Sequence, residues 1–127
     1  MGSSLADLTA IDQHLSKRHI DLDPGGYLII YLDRAAGLIC AKHYTNIIDH
    51  RGIALDPETG KPIPARGKVG RQHTAIFTGK TAKEICVNLF EQTQPCPITR
   101  LDHAAYLGRE FVRAEIALIT GQEYIQD

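Results

Sequence analysis

The richest chemistry in this 127-residue chain lies in Asp102-His103-Ala104-Ala105-Tyr106-Leu107-Gly108-Arg109-Glu110. If the segment is helical, His103, Tyr106 and Glu110 fall on one face at steps of three and four, with Arg113 next along it. An imidazole beside a carboxylate can pass a proton near neutral pH, and Arg109 or Arg113 can grip a carboxylate. The stripe therefore reads as one wall of a ligand pocket, with His103 and Glu110 as the candidate catalytic pair. The same spacing fits a ladder of ion pairs on a solvated face. Ala104, Ala105 and Gly108 also leave room for another helix, a strand or a flat ring, which fits a subunit interface. His43 and Tyr44 join His103, Tyr106, Arg109 and Arg113 as candidate ligand-binding residues, expected to converge on one concave pocket if the site is real.

A second concentration is electrostatic. No acid occurs between Glu58 and Glu84, whereas Lys61, Arg66, Lys68, Arg71, Lys80 and Lys83 are all basic. Arg66, Lys68, Arg71 and Lys80 form a candidate anion site, and Gly67 and Gly70 would let backbone N–H groups approach the anion. The alternatives are a solvated basic arm, or an arm that meets an acidic patch on a second subunit. Gly79-Lys80-Thr81 resembles the end of a phosphate loop, but the glycine needed five residues earlier is Thr74. Thr81 with Glu84 explains the same residues as a helix cap.

The six histidines show no HxxxH pair and no cysteine at ligand spacing, so neither a metal nor a cofactor is expected. Cys40, Cys86 and Cys96 form no CxxC, which points to reduced thiols. No nucleophile elbow or HExxH occurs, and a non-catalytic role is favoured over an enzymatic one.

The elements that must position these groups follow from periodicity. Leu5, Leu8, Ile11 and Leu15 predict an N-terminal helix within residues 1–20, and a single α+β domain then spans 21–127. Tyr27–Leu32 and Leu38–Tyr44 predict a hairpin, with Gly37 in the left-handed position of its loop. Both hairpin faces are apolar and need cover, which leaves surface for a partner if helices pack on one side only. From about 46 to 71, Gly and Pro punctuate short apolar pieces and predict an extended arm, with Asp56–Lys61 as a turn. His73–Thr78 predicts a strand, and Thr81 opens a helix carrying Ile85, Cys86, Leu89 and Phe90 on one face. Thr99 and Asp102 repeat the cap pattern before a long helix that Gly121 stops. The order lacks βαβ crossovers, so a small antiparallel sheet packed by about three helices is expected.

Composition narrows the function classes. Lys and Arg number 14 against 15 Asp and Glu, and 43% of residues are hydrophobic, an ordinary globular balance. The net charge of −1 argues against a general nucleic-acid binder. No apolar run has the length of a membrane span, and the first residues lack a signal-peptide pattern. A soluble cytoplasmic protein is expected.

Four segments carry a resemblance: Asp23-Pro24-Gly25-Gly26-Tyr27-Leu28-Ile29-Ile30, the His43-Tyr44 pair, Leu101–Glu110, and Gly121-Gln122-Glu123-Tyr124-Ile125-Gln126-Asp127. From about Asp21 onward the chain resembles a small domain family of unknown function. That family occurs in bacteria and archaea, stands alone in cyanobacteria, and is fused C-terminally to proteins related to dihydropteroate synthase. The resemblance implies a link to pterin or folate metabolism, carried by the fused neighbour. It does not imply the synthase reaction, since the chain is too short for a barrel of roughly 250 residues. Two functions stay open beside an enzyme using His103 and Glu110: a binding or accessory module for a pterin-like or other anionic small molecule, and a homo-oligomeric interaction module.

Overall fold

A computed structural model of the chain describes residues 23, 25–51, 53–62 and 72–127. Strands β1 (Gly26–Asp33) and β2 (Leu38–Thr45) form the expected hairpin, paired antiparallel from Gly26 opposite Thr45 to Asp33 opposite Leu38. Gly37 closes the loop at φ 68°, a left-handed conformation that glycine adopts without a Cβ penalty. A short ribbon of β3 (Ile47–Ile48) and β4 (Ala54–Leu55) follows. Asp56–Lys61 then turns back, with the Asp56 amide donating to the Lys61 carbonyl at 2.8 Å. Strand β5 (Ala75–Gly79) pairs antiparallel with β2, giving a three-stranded sheet in the order β1-β2-β5.

Helix α1 (Ala82–Cys86) begins at the expected cap, where the Thr81 hydroxyl accepts the Glu84 amide at 3.1 Å, and it runs into a π-helical turn at Val87–Glu91. Helix α2 (Leu101–Thr120) is the long one, and it ends at Gly121 with φ 74°. The described residues thus contain two helices rather than about three. The helix expected within residues 1–20 lies outside them.

Strand alternation explains how the core is divided. Leu28, Ile30, Ile39 and Ala41 point to the side covered by α1 and α2, where they meet Ile85, Leu89, Leu107, Phe111 and Ala114. On α2 the buried positions are His103, Tyr106, Leu107, Glu110, Phe111, Ala114 and Ala117, one stripe at steps of three and four. Contact is closest where β5 hands over to α1: a Cβ at Gly79 would stand 2.4 Å from the Ile85 nitrogen. The opposite sheet face carries Tyr27 stacked on Tyr44 at 5.4 Å, and Lys42 Nζ lies 5.1 Å from the Tyr31 ring centroid. Tyr44, Cys40, Lys42 and Ile29 on that face are all buried.

Candidate functional site

Asp23 lies before β1 in sequence, yet it organises the start of α2. Its Oδ1 accepts the backbone N–H groups of Thr99 at 2.6 Å and Arg100 at 3.0 Å, together with the Thr99 hydroxyl. Its Oδ2 stands 2.7 Å from His103 Nδ1. The cap of α2 is therefore this distant carboxylate, and not Thr99 or Asp102; Arg100 occupies the N-cap position without a side-chain hydrogen bond. A carboxylate is favoured there because the first amides of a helix are unsatisfied and its dipole is positive at that end.

The Asp23 and His103 side chains keep only 2% and 1% of their exposure. Burial pushes the Asp23 carboxyl upward, but the Thr99 and His103 hydrogen bonds outweigh it and hold the group below its ordinary value. Burial likewise holds the His103 imidazole below its ordinary value, against the pull of Asp23. The resulting state is a carboxylate that accepts Nδ1–H from a neutral imidazole.

One and two turns further along α2, the polar stripe is folded over by the segment that follows the helix. Glu110 is fully buried, and its Oε1 accepts from Arg113 Nη1 at 2.6 Å, the Tyr124 hydroxyl at 2.9 Å and the Asp127 amide at 3.0 Å. Arg109 Nε reaches the other oxygen of Glu110 at 3.5 Å. The Tyr106 hydroxyl donates to the Asp127 carbonyl at 2.9 Å, and burial pushes its own pKa up to about 12. Tyr124 is shifted upward as well, by burial first and then by Glu110. The Arg113 guanidinium lies over the Tyr124 ring and that of Arg109 over the Tyr106 ring.

The same segment meets the outer edge of β1. Gln126 Oε1 accepts the Ile30 N–H at 2.8 Å, while its Nε2 donates to the Leu28 carbonyl at 3.2 Å and to the Tyr106 hydroxyl at 2.8 Å. Arg34 donates to the Ala117 carbonyl at 3.5 Å and to the Gln122 carbonyl, fixing the turn after α2. Beside this network a cleft of about 460 Å³ opens, lined by Ile30, Tyr31, Leu32, Arg34, Gly121, Glu123 and Tyr124.

The sequence-derived candidates are distributed as follows. Tyr106, Arg109, Glu110 and Arg113 do share one face, together with residues 122–127. His103 sits at the head of that face, turned to Asp23. His43 and Tyr44, being neighbours on a strand, point to opposite sheet faces. His43 faces the side of Leu28, with Nδ1 3.0 Å from Thr45 Oγ1, and Tyr44 stacks on Tyr27. Lys80 is exposed at the β5–α1 junction. Arg66, Lys68 and Arg71 lie outside the described residues. Among the described residues no group of three or more His, Cys, Asp or Glu is placed to hold a metal. The three cysteines form no disulfide. No helix of the described residues is long and apolar enough to cross a membrane.

Sequence reading did not single out Asp23, Arg34, Tyr124 or Gln126. The available signal was that three of the four segments carrying the family resemblance, Asp23–Ile30, Leu101–Glu110 and Gly121–Asp127, are tied together by this network. The family profile PterinBD-DUF4346 matches residues 22–127. The chain belongs to the PterinBD-DUF4346 family. A Ycf91-like protein of Nostoc sp. is 74% identical over 121 residues, covering 95% of each chain. A red-algal protein from Pyropia yezoensis is 29% identical over 112 residues, which is 88% of this chain and 79% of that one. An uncharacterised protein of Methanocaldococcus jannaschii is 44% identical over 75 residues, covering 59% of this chain but 14% of its own length. Sequence similar to this chain thus occurs both in short proteins and within a much longer one. No solved structure matches the chain.

Proposed function

We propose that this protein is a non-catalytic ligand-binding or accessory module linked to pterin or folate metabolism. The observation that carries the non-catalytic half is that its acid–base candidates are buried and turned onto the chain itself. His103 gives Nδ1 to a buried carboxylate, and Glu110 Oε1 accepts three hydrogen bonds from groups that hold residues 122–127 in place. A proton-transfer group has to reach a substrate atom, whereas these groups reach the chain itself. The pterin half rests on the family profile. A thermal-shift panel of pterins and folates tests it. A bound pterin at about 100 times its dissociation constant adds about 2.7 kcal/mol. That amounts to a melting shift on the order of 10 °C for a domain of this size. A flat response across the panel removes the pterin and folate reading.

One observation favours homo-oligomerisation as a second reading. The outer face of α2 exposes Leu101, Val112, Ile116 and Ile119, with Gly108 between them facing open space. An apolar helix face with a small residue at its middle suits close crossing by the same helix of a second copy. Sedimentation at micromolar concentration separates the cases, and a monomer there removes this reading.

A further inference from the structure

We propose that the cleft between the outer edge of β1 and the turn after α2 is a binding site for a planar heterocycle with a cyclic amide edge, of the 2-amino-4-oxo type. The proposal rests on the ligand-binding reading above and gives that reading a place and a chemistry.

Gln126 supplies the template. Its carboxamide lies flat against β1, accepting the Ile30 N–H and donating to the Leu28 carbonyl. In an antiparallel strand alternate residues turn both backbone groups outward, so Leu28, Ile30 and Leu32 face the edge, while Tyr27, Ile29 and Tyr31 bond to β2. The next outward pair is the Ile30 carbonyl and the Leu32 N–H, with the same spacing and direction as the pair Gln126 occupies. Among the described residues nothing bonds to either group, and both residues line the cleft of about 460 Å³. A cyclic amide offers its C=O and N–H side by side, as the Gln126 carboxamide does. It can therefore accept from Leu32 and donate to Ile30.

The other walls suit the rest of such a ring. Tyr31 and Tyr124 contribute aromatic surface, and the exposed carboxylate of Glu123 can accept from an exocyclic amino group. Arg34 is held by the Ala117 and Gln122 carbonyls, which keeps the far wall in position. An added peptide strand fits less well. Gln126 already occupies the edge at Leu28 and Ile30, so the open stretch is one hydrogen-bonding pair long, too short for a stable strand. Pterin and guanine rings share the required edge.

The test is titration of the ¹⁵N-labelled full chain with pterin, guanosine and 2,4-diaminopteridine, which lacks the oxo group and the ring N–H. Pterin or guanosine is expected to shift the Leu32 amide resonance and to bind at least tenfold more tightly than the diamino compound. Leu32→Pro deletes the outward N–H, at an edge position where proline is tolerated, and also trims a side chain packed on the core. With Leu32→Ala as the control that trims the side chain and keeps the N–H, the proline variant alone should weaken binding at least tenfold. Glu123→Gln, a surface change that leaves folding intact, should weaken it several-fold. Binding of guanosine alone upholds the cleft and ends the pterin link. Pterin binding with shifts centred on His43 or His103 does the reverse. Equal affinity for the diamino compound, response only to a strand-forming peptide, or no binding by any of the three rings overturns the site.

Discussion

Replacing Asp23 by Ala isolates what ties the first strand to the last helix. The substitution removes the acceptor for Thr99, Arg100 and His103 at one stroke. Thr99 and Arg100 are exposed and their amides can turn to water, so losing the cap there costs about 1 kcal/mol. The His103 Nδ1–H cannot turn to water at 1% exposure, and losing its acceptor, or moving its proton to Nε2 so that Nδ1 takes only the long 3.4 Å bond from the residue 23 amide, costs about 1–3 kcal/mol. The sum is about 2–4 kcal/mol, a large share of the roughly 5–15 kcal/mol that holds a domain of this size. In urea, with a slope of about 1–2 kcal/mol/M, the midpoint should fall by about 2 M. Asp23→Asn should cost less, because it keeps Oδ1 for Thr99 and can donate to Nδ1 once the imidazole proton moves to Nε2. Adding His103→Leu to Asp23→Ala removes the orphan, so the two changes should be sub-additive by about 1–2 kcal/mol. An Asp23→Ala cost below about 1 kcal/mol, or strict additivity with His103→Leu, refutes the claim that this pair anchors α2.

The pH dependence follows from the same residues. His103 is neutral in the folded state with its pKa depressed below 6.5, so the unfolded chain takes up the proton first. Stability should be complete above pH 6.5 and decline as pH falls below it; urea midpoints for wild type and His103→Gln should diverge there, the variant lacking that decline. Asp23 adds a second loss below its unfolded value of 3.8, as pH falls through its lowered folded value. Gly79→Ala places a methyl carbon 2.4 Å from the Ile85 nitrogen, a backbone atom, and should lower stability by about 1–3 kcal/mol in thermal melts. Glu110→Gln weakens charge-assisted bonds to Arg113, Tyr124 and the Asp127 amide, and should speed amide hydrogen exchange across residues 122–127 by tenfold or more while β2 stays protected.

Local signals in the sequence were translated faithfully into structure. The apolar runs around Gly37 became the β1–β2 hairpin, Thr81 capped α1, and Gly121 ended α2, because each depends on residues within a turn of one another. The common face of His103, Tyr106, Glu110 and Arg113 was legible for the same reason. What covers that face was not. Tyr124, Gln126 and Asp127 belong to an irregular segment with no periodicity to reveal where it packs. Asp23 read as part of a turn, since its partners lie 76 to 80 residues away. The cap of α2 was misplaced for that reason: a Thr99–Asp102 pattern satisfies the local rule, but a carboxylate from outside the helix was already in position. The cleft escaped notice because main-chain edges are invisible to residue-type reasoning.

The bonds from Asp23 to Thr99 and His103, from Arg34 to Ala117 and Gln122, and from Leu28 and Ile30 to Gln126 all join the beginning of the sheet to the last described stretch of chain. During vectorial synthesis the hairpin emerges from the ribosome long before α2 and residues 122–127 exist. At roughly 5–20 residues per second the β1 edge therefore waits several seconds for its closing partner. Until Gln126 arrives, the Leu28 carbonyl and the Ile30 N–H lack the partner that later covers them, so the hairpin edge is open to mispairing with neighbouring nascent chains until residues 122–127 dock.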